Sequence, residues 1–87
     1  MSVLHLVSGN LLGACRMRMG ESDAVLLLGD GVLHIARGEC DSGVHALFSD
    51  IDAYDLMKNA LAAGVRVVDY DGFVHLVEAH RVVHHWR

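Results

Sequence analysis

Ala24-Val25-Leu26-Leu27-Leu28 is apolar at every position and stops at Gly29-Asp30-Gly31. A strand with one face in water alternates apolar and polar residues; one without alternation has to be covered on both faces, as parallel strands roofed by helices are. Val3-Leu4-His5-Leu6-Val7, bounded by Ser8-Gly9-Asn10, reads the same way, and Val44 to Phe48 and Val65 to Val68 supply two more strands. The segments between them have helical spacing. Leu11, Leu12, Cys15 and Met19 place a helix over about residues 10–19, ended by Gly20. A brief helix from Val32 to Arg37 closes at Gly38. Ser49 or Asp50 is positioned to cap a third, whose apolar positions Ile51, Leu56, Met57, Ala60 and Leu61 run to Gly64. Phe73, Leu76, Val77 and His80 share one face of a last helix, and Val82-Val83 offers a short fifth strand. Strand and helix alternate throughout. The expected architecture is a single domain over residues 1–87, a three-layer α/β/α fold with a mostly parallel sheet of four or five strands.

A chain of 87 residues buries only about 60–65% of the surface its unfolded form exposes, so its stability margin is thin. Yet 53% of its residues are hydrophobic and only 6% aromatic. That much aliphatic content in a small domain suits a permanent subunit, because obligate interfaces resemble a core cut in half. The net charge of −4 disfavours binding to a phosphate backbone, where affinity comes from Lys and Arg displacing counterions; no direct nucleic-acid contact is expected. No apolar run approaches the roughly 20 residues of a membrane helix, and no secretory signal pattern opens the chain. Two cysteines without dense spacing make no disulfide framework, which points to the cytoplasm and reduced thiols.

Few residues carry candidate chemistry. Cys15 is the one side chain suited to a covalent role, with Arg18 three positions on to favour its thiolate, but Leu11, Leu12 and Met19 put it on the apolar stripe. Cys40 sits between Glu39 and Asp41, which disfavour a thiolate. Asp30 and Asp69 follow strands and so could sit at the carboxyl edge of the sheet, where open α/β folds bind ligands, but turn and cap roles are the favoured reading of both. Gly29-x-Gly31 lacks the third glycine of a dinucleotide fingerprint, since position 34 is His, and no cofactor is expected. His80, His84 and His85 have a spacing that suits a metal on a helix, but no further ligand completes the set, and no metal is expected. His5 reads as a satisfied core or interface histidine.

Three stretches together resemble the DsrH/TusB family of sulfur-relay subunits. Val67-Val68-Asp69-Tyr70-Asp71-Gly72-Phe73-Val74-His75-Leu76, with the closing His84-His85-Trp86-Arg87, looks like the family's strand, Asp-Tyr, Phe-Val-x-Leu and terminal Trp. Met1-Ser2-Val3-Leu4-His5 looks like its first strand, and Val25 to Val32 like its aliphatic strand ending in x-Asp-Gly. Cys15 stands where DsrH-like members tend to carry a cysteine. The chain departs from the pattern at Ala53-Tyr54-Asp55, where the family commonly shows Ala-Arg-Gly. The resemblance implies a heterohexamer with two related small α/β subunits, TusC/TusD-like or DsrF/DsrE-like. Such a complex receives persulfide sulfur on a sister subunit's cysteine and passes it to an acceptor protein, toward 2-thiolation of the tRNA wobble uridine or toward dissimilatory sulfur oxidation. Tyr70, Phe73, His80 and Trp86 are the candidate interface residues, and the tail carrying the sequence's one Trp is expected to dock, either back on its own domain or in a subunit contact. A persulfide carrier using Cys15, and an α/β interaction module unrelated to sulfur, are the competing readings; alone, the chain is a possible homo-oligomer.

Overall fold

Every strand of the sheet runs in the same direction. In the computed structural model, which describes residues 2–87, the strands are β1 (Val3–Val7), β2 (Ala24–Leu27), β3 (Val44–Leu47), β4 (Arg66–Val68) and β5 (Val82–Trp86), in the order β4-β3-β2-β1-β5. Met1, the first residue of the matched opening, lies outside the described residues. The chain steps outward from β1 to β4, then returns across the whole sheet to lay β5 on the free side of β1. Because parallel crossovers are right-handed, that reversal moves the last helix to the opposite face.

Register explains the continuous apolar runs. Val7 lies beside Leu27, Leu27 beside Ala46 and Ala46 beside Val67, all on one face. Over them pack Leu12 and Cys15 of α1 (Leu12–Arg16), Ile35 of α2 (Leu33–Ala36), Ile51 of α3 (Phe48–Ala53), and Leu56 and Ala60 at the start and middle of α4 (Met57–Ala63). The other face carries Leu4, Leu6, Leu26 and His45, crossed by α5 (Tyr70–Ala79). Leu4 and Leu26 are completely buried, but α5 itself has no buried residue. Burial pushes the His45 imidazole below its ordinary value of 6.5, and its Nδ1 lies 3.3 Å from the Val25 carbonyl. The expected α/β/α layering is present, with the two helical layers of very different weight.

Gly31 follows from close approach. In the 3-10 turn Gly29–Val32 that leads into α2, a Cβ at this position would collide with the carbonyl oxygen of Val7, so the turn after β2 packs directly on the end of β1.

The expected helix over residues 10–19 is only Leu12–Arg16. Gly13 weakens its interior, and beyond Arg16 the chain tightens into three-residue bonds, Arg18 N–H to Cys15 and Met19 N–H to Arg16. The third expected helix is broken into α3 and α4 at Tyr54-Asp55, and the break carries Leu61 out to 69% exposure instead of into the core. Neither Ser49 nor Asp50 caps α3, which begins ahead of them at Phe48; the Asp50 carboxylate instead accepts the Gly29 N–H at 2.8 Å, tying α3 to the turn after β2. The fifth strand extends three residues past Val83, to Trp86.

Asp55 is the one non-glycine residue among those described with a left-handed backbone, φ +55°. It occupies the place where the resembling family commonly has Gly, so the departure at Ala53-Tyr54-Asp55 keeps the same chain reversal using a residue type that tolerates this region. Asp55→Gly is therefore expected to hold or raise the melting temperature. Asp55→Val, which cannot adopt the conformation cheaply, is expected to cost about 1–2 kcal/mol in urea denaturation.

Candidate functional site

Cys15 is inside the protein. Helix α1 lays it on the core with 0% exposure, against the apolar face built by Val7, Leu12 and Ile35. Burial pushes its thiol up to about 11, and the Arg16 guanidinium only partly offsets this. Arg18, the cation suggested by spacing, has no part in that balance. Cys40 is half-buried in the loop before β3; burial likewise raises its thiol to about 11, with Glu39 and Asp41 adding to the effect and Arg16 opposing it. Neither sulfur is a nucleophile at neutral pH in this state, since the thiolate is the reactive form.

The C-terminal strand is held by a chain of hydrogen bonds. The Trp86 indole N–H donates to His5 Nδ1 at 3.0 Å, and His5 Nε2 lies 3.0 Å from Asp23 Oδ2. Indole is a donor only, so His5 accepts at Nδ1 and carries its proton on Nε2, which it donates to Asp23. Asp23 also receives the backbone N–H groups of Val3, at 2.9 Å, and Gly20, at 3.0 Å. The bond from Gly20 and the one from His5 hold its carboxyl down at about 2, well below the ordinary 3.8. His84 stacks on Trp86 with ring centroids 4.9 Å apart. His5 is thus a satisfied core histidine, 4% exposed, that joins three separate parts of the chain.

At the carboxyl ends of β1 and β5 the strand order reverses, which is where open α/β sheets place ligands. Here the polar groups bind one another. Ser8 donates its N–H to the Trp86 carbonyl at 3.0 Å, and its hydroxyl lies 3.2 Å from the same oxygen and 3.3 Å from His85 Nε2. The Gly9 N–H goes to Asp30 at 2.7 Å, and the Gly9 carbonyl lies 3.0 Å from Nε2 of the buried His34, whose Nδ1 is 2.7 Å from Glu39. Asp30 therefore braces the neighbouring loop and not its own turn. Asp69, three strands from the reversal, caps α5 by accepting the Gly72 N–H at 2.8 Å. The two aspartates share an edge but no site.

The interface candidates fall into two places. Tyr70, 71% exposed, and Phe73 lie together in the first turns of α5, rings 6.2 Å apart. Beside this turn an open recess of about 400 Å³ is lined by Phe48, Val67, Val68, Asp69 and Gly72, with neither cysteine on its wall. His80 ends α5 by donating Nδ1–H to the Leu76 carbonyl at 2.7 Å. Trp86 is apart from these, half-buried against the core face. His84 and His85 are on a strand and not a helix, and they point to opposite faces of it, so they do not converge with His80. Asp23 and His34 were not distinguished by the sequence. A carboxylate directly ahead of a buried strand was the available signal for Asp23; nothing marked His34.

Asp23 has a lowered folded pKa, so the stability it contributes is complete above its unfolded value near 3.8 and is lost as pH falls toward about 2. Melting temperature should fall through that window in the native chain and fall less in Asp23→Asn. Trp86→Ala should destabilise the fold by about 2 kcal/mol, read by urea denaturation, because it removes both the ring and the donor to His5.

The family profile described as DsrH like protein matches residues 7–83, almost the whole chain. No curated protein matches it. The match spans all the core helices and the entry into β5, the same frame in which the segments at Val25 and Val67 were found. The chain belongs to the DsrH family.

Proposed function

We propose that this chain is a non-catalytic subunit of a sulfur-relay complex, assembling with two related small α/β subunits into a TusBCD- or DsrEFH-like heterohexamer. The observation that carries this reading is the state of Cys15: completely buried, with its thiol raised to about 11. A persulfide acceptor has to present a thiolate to its donor, and this chain presents none. Its contribution is then architectural, and the sulfur-bearing cysteine belongs to a sister subunit. Exposed apolar side chains support assembly, among them Tyr70, Leu61, Phe48 and Met17. Tyr70 and Phe73 at the head of α5 form one contact, His80 lies at its other end, and Trp86 fixes the strand that follows.

The complex works in the cytoplasm, consistent with two free thiols and with the absence, among the described residues, of a helix long and apolar enough to cross a membrane. The destination of the sulfur is either tRNA wobble-uridine 2-thiolation or dissimilatory sulfur oxidation; a strain lacking this chain, assayed for 2-thiouridine in its tRNA, separates them.

Two measurements test the assignment. Co-expressed with its sister subunits, the chain should elute in one species with both; elution as a monomer apart from them overturns the proposal. Incubated with a persulfide donor and weighed intact, the folded chain should gain no sulfur, and Cys15→Ala should leave transfer through the assembled complex unchanged. A stoichiometric gain of one sulfur atom, abolished in Cys15→Ala, makes this subunit a carrier.

A further inference from the structure

The two edges of the sheet are not protected alike. Edge strand β4 has only three residues and carries Arg66 within it, the short charged form that resists pairing with another chain. Edge strand β5 has five residues, Val82-Val83-His84-His85-Trp86, with no bulge, proline, lysine or carboxylate, and Val82 and Val83 are each 42% exposed. Its ladder to β1 begins with the Val82 N–H on the Ser2 carbonyl and ends with the Trp86 carbonyl on the Ser8 N–H. By the alternation of a parallel ladder, the amide and carbonyl groups of Val83 and His85 face away from the sheet. The hydrogen bonds linking Trp86, His5 and Asp23 hold this strand in place, so the edge is preorganised.

The charge around the edge is selective. The protein as a whole is at −4, yet from His80 to Arg87 there are two arginines, three histidines and no Asp or Glu. Among the described residues no carboxylate side chain pairs with Arg81 or Arg87. Val83 and His85 share one face of the strand, and Arg81 and Arg87 flank its two ends, so the basic groups bracket the open backbone positions. We infer that the free edge of β5 is a docking site for an extended segment of another protein chain that pairs with Val83 and His85 and carries carboxylates at both ends of the paired stretch. A second copy of this chain is a poor occupant: antiparallel pairing centred on His84 would set Arg81 opposite Arg87, and like charges facing across strands destabilise the pair. The inference rests on the preceding reading only in taking this chain to work with partner proteins.

The test uses the full chain, isotope-labelled, with two synthetic peptides of alternating Thr and Val, one ending in Glu at both ends and one in Lys. The Glu-ended peptide should slow amide exchange at Val83 and His85 by about tenfold or more, and the Lys-ended peptide should bind about tenfold more weakly. Val83→Pro removes an outward donor at a position where an edge strand accepts proline, and it should abolish the protection while the melting temperature stays close to that of the parent. Arg81→Glu combined with Arg87→Glu should reverse the peptide preference without touching the backbone. Equal binding of the two peptides, protection at Arg66 to Val68 instead, or undiminished binding by Val83→Pro overturns the inference. So does protection of Val83 and His85 that grows with protein concentration in the absence of peptide, which would make a second copy the occupant. Co-elution with sister subunits is a separate measurement, so failure there leaves this result readable, and the reverse holds.

Discussion

The hydrogen bond from the Trp86 indole to His5 is the contact on which the sheet's arrangement turns. β1 is an interior strand only because β5 lies beside it. Without β5, Leu4 and His5 would line an edge, and the polar groups of β1 that now pair with Val82 through Trp86 would be open to water. A short terminal strand with four exposed residues has little apolar burial to hold it, so a specific anchor is required. His5 supplies that anchor by passing the contact on to Asp23, whose carboxylate also collects the first N–H of β1 and the Gly20 N–H. One carboxylate thus sets the start of β1, the approach to β2 and, through an imidazole, the end of β5. Charged acceptors make the stronger hydrogen bonds, and here that strength sits where the chain's two ends meet.

The fold class was legible because unbroken apolar runs leave one solution, strands covered on both faces. The strand at Ala24 is such a run, and those at Val3, Val44 and Val65 were read from shorter aliphatic stretches interrupted by His5, His45 and Arg66. Helix lengths were less legible. Gly13 shortened α1 and Asp55 divided the third helix, and in each case periodicity continued across a backbone that did not. Tyr54-Asp55 had been marked by its departure from the family's Ala-Arg-Gly, but a glycine in that pattern signals a left-handed turn only once the chain reversal is seen. The site was legible in outline: the Trp86 tail docks, His5 is a core histidine and Cys15 lies on the apolar stripe. The partners were not. Asp23 and His5 are separated in sequence by a whole helix, and nothing in local pattern links a buried imidazole to its carboxylate.

The state of the thiols supports the proposed non-carrier role. A helix start would lower a thiol's pKa, but Cys15 is the fourth residue of a five-residue helix, past its orphan N–H groups, and its single nearby guanidinium does not overcome desolvation. The core needs a small apolar group at the place where α1 meets β1, and sulfur fills it as a soft hydrophobe. The reversal of strand order at β1 and β5 points the same way. Ser8 is bonded to Trp86 and His85, and Gly9 joins Asp30 to His34, so this edge is a closed structural joint.

What remains open in the molecule is its second face. Four helices cover one side of the sheet; α5 alone crosses the other, contributing no buried residue although Leu4 and Leu26 beneath it are sealed. Both ends of the helix are closed locally, at its head by the Asp69 cap and at its tail by the His80 bond to the Leu76 carbonyl. That leaves its outward residues free to serve contacts: Tyr70 beside Phe73 at one end and, past His80, the exposed valines of β5 at the other. A lone chain this small would gain by burying such groups in itself, and it has enough aliphatic residues to do so. Keeping them outside fits the proposed role of a subunit, since obligate interfaces resemble a core cut in half.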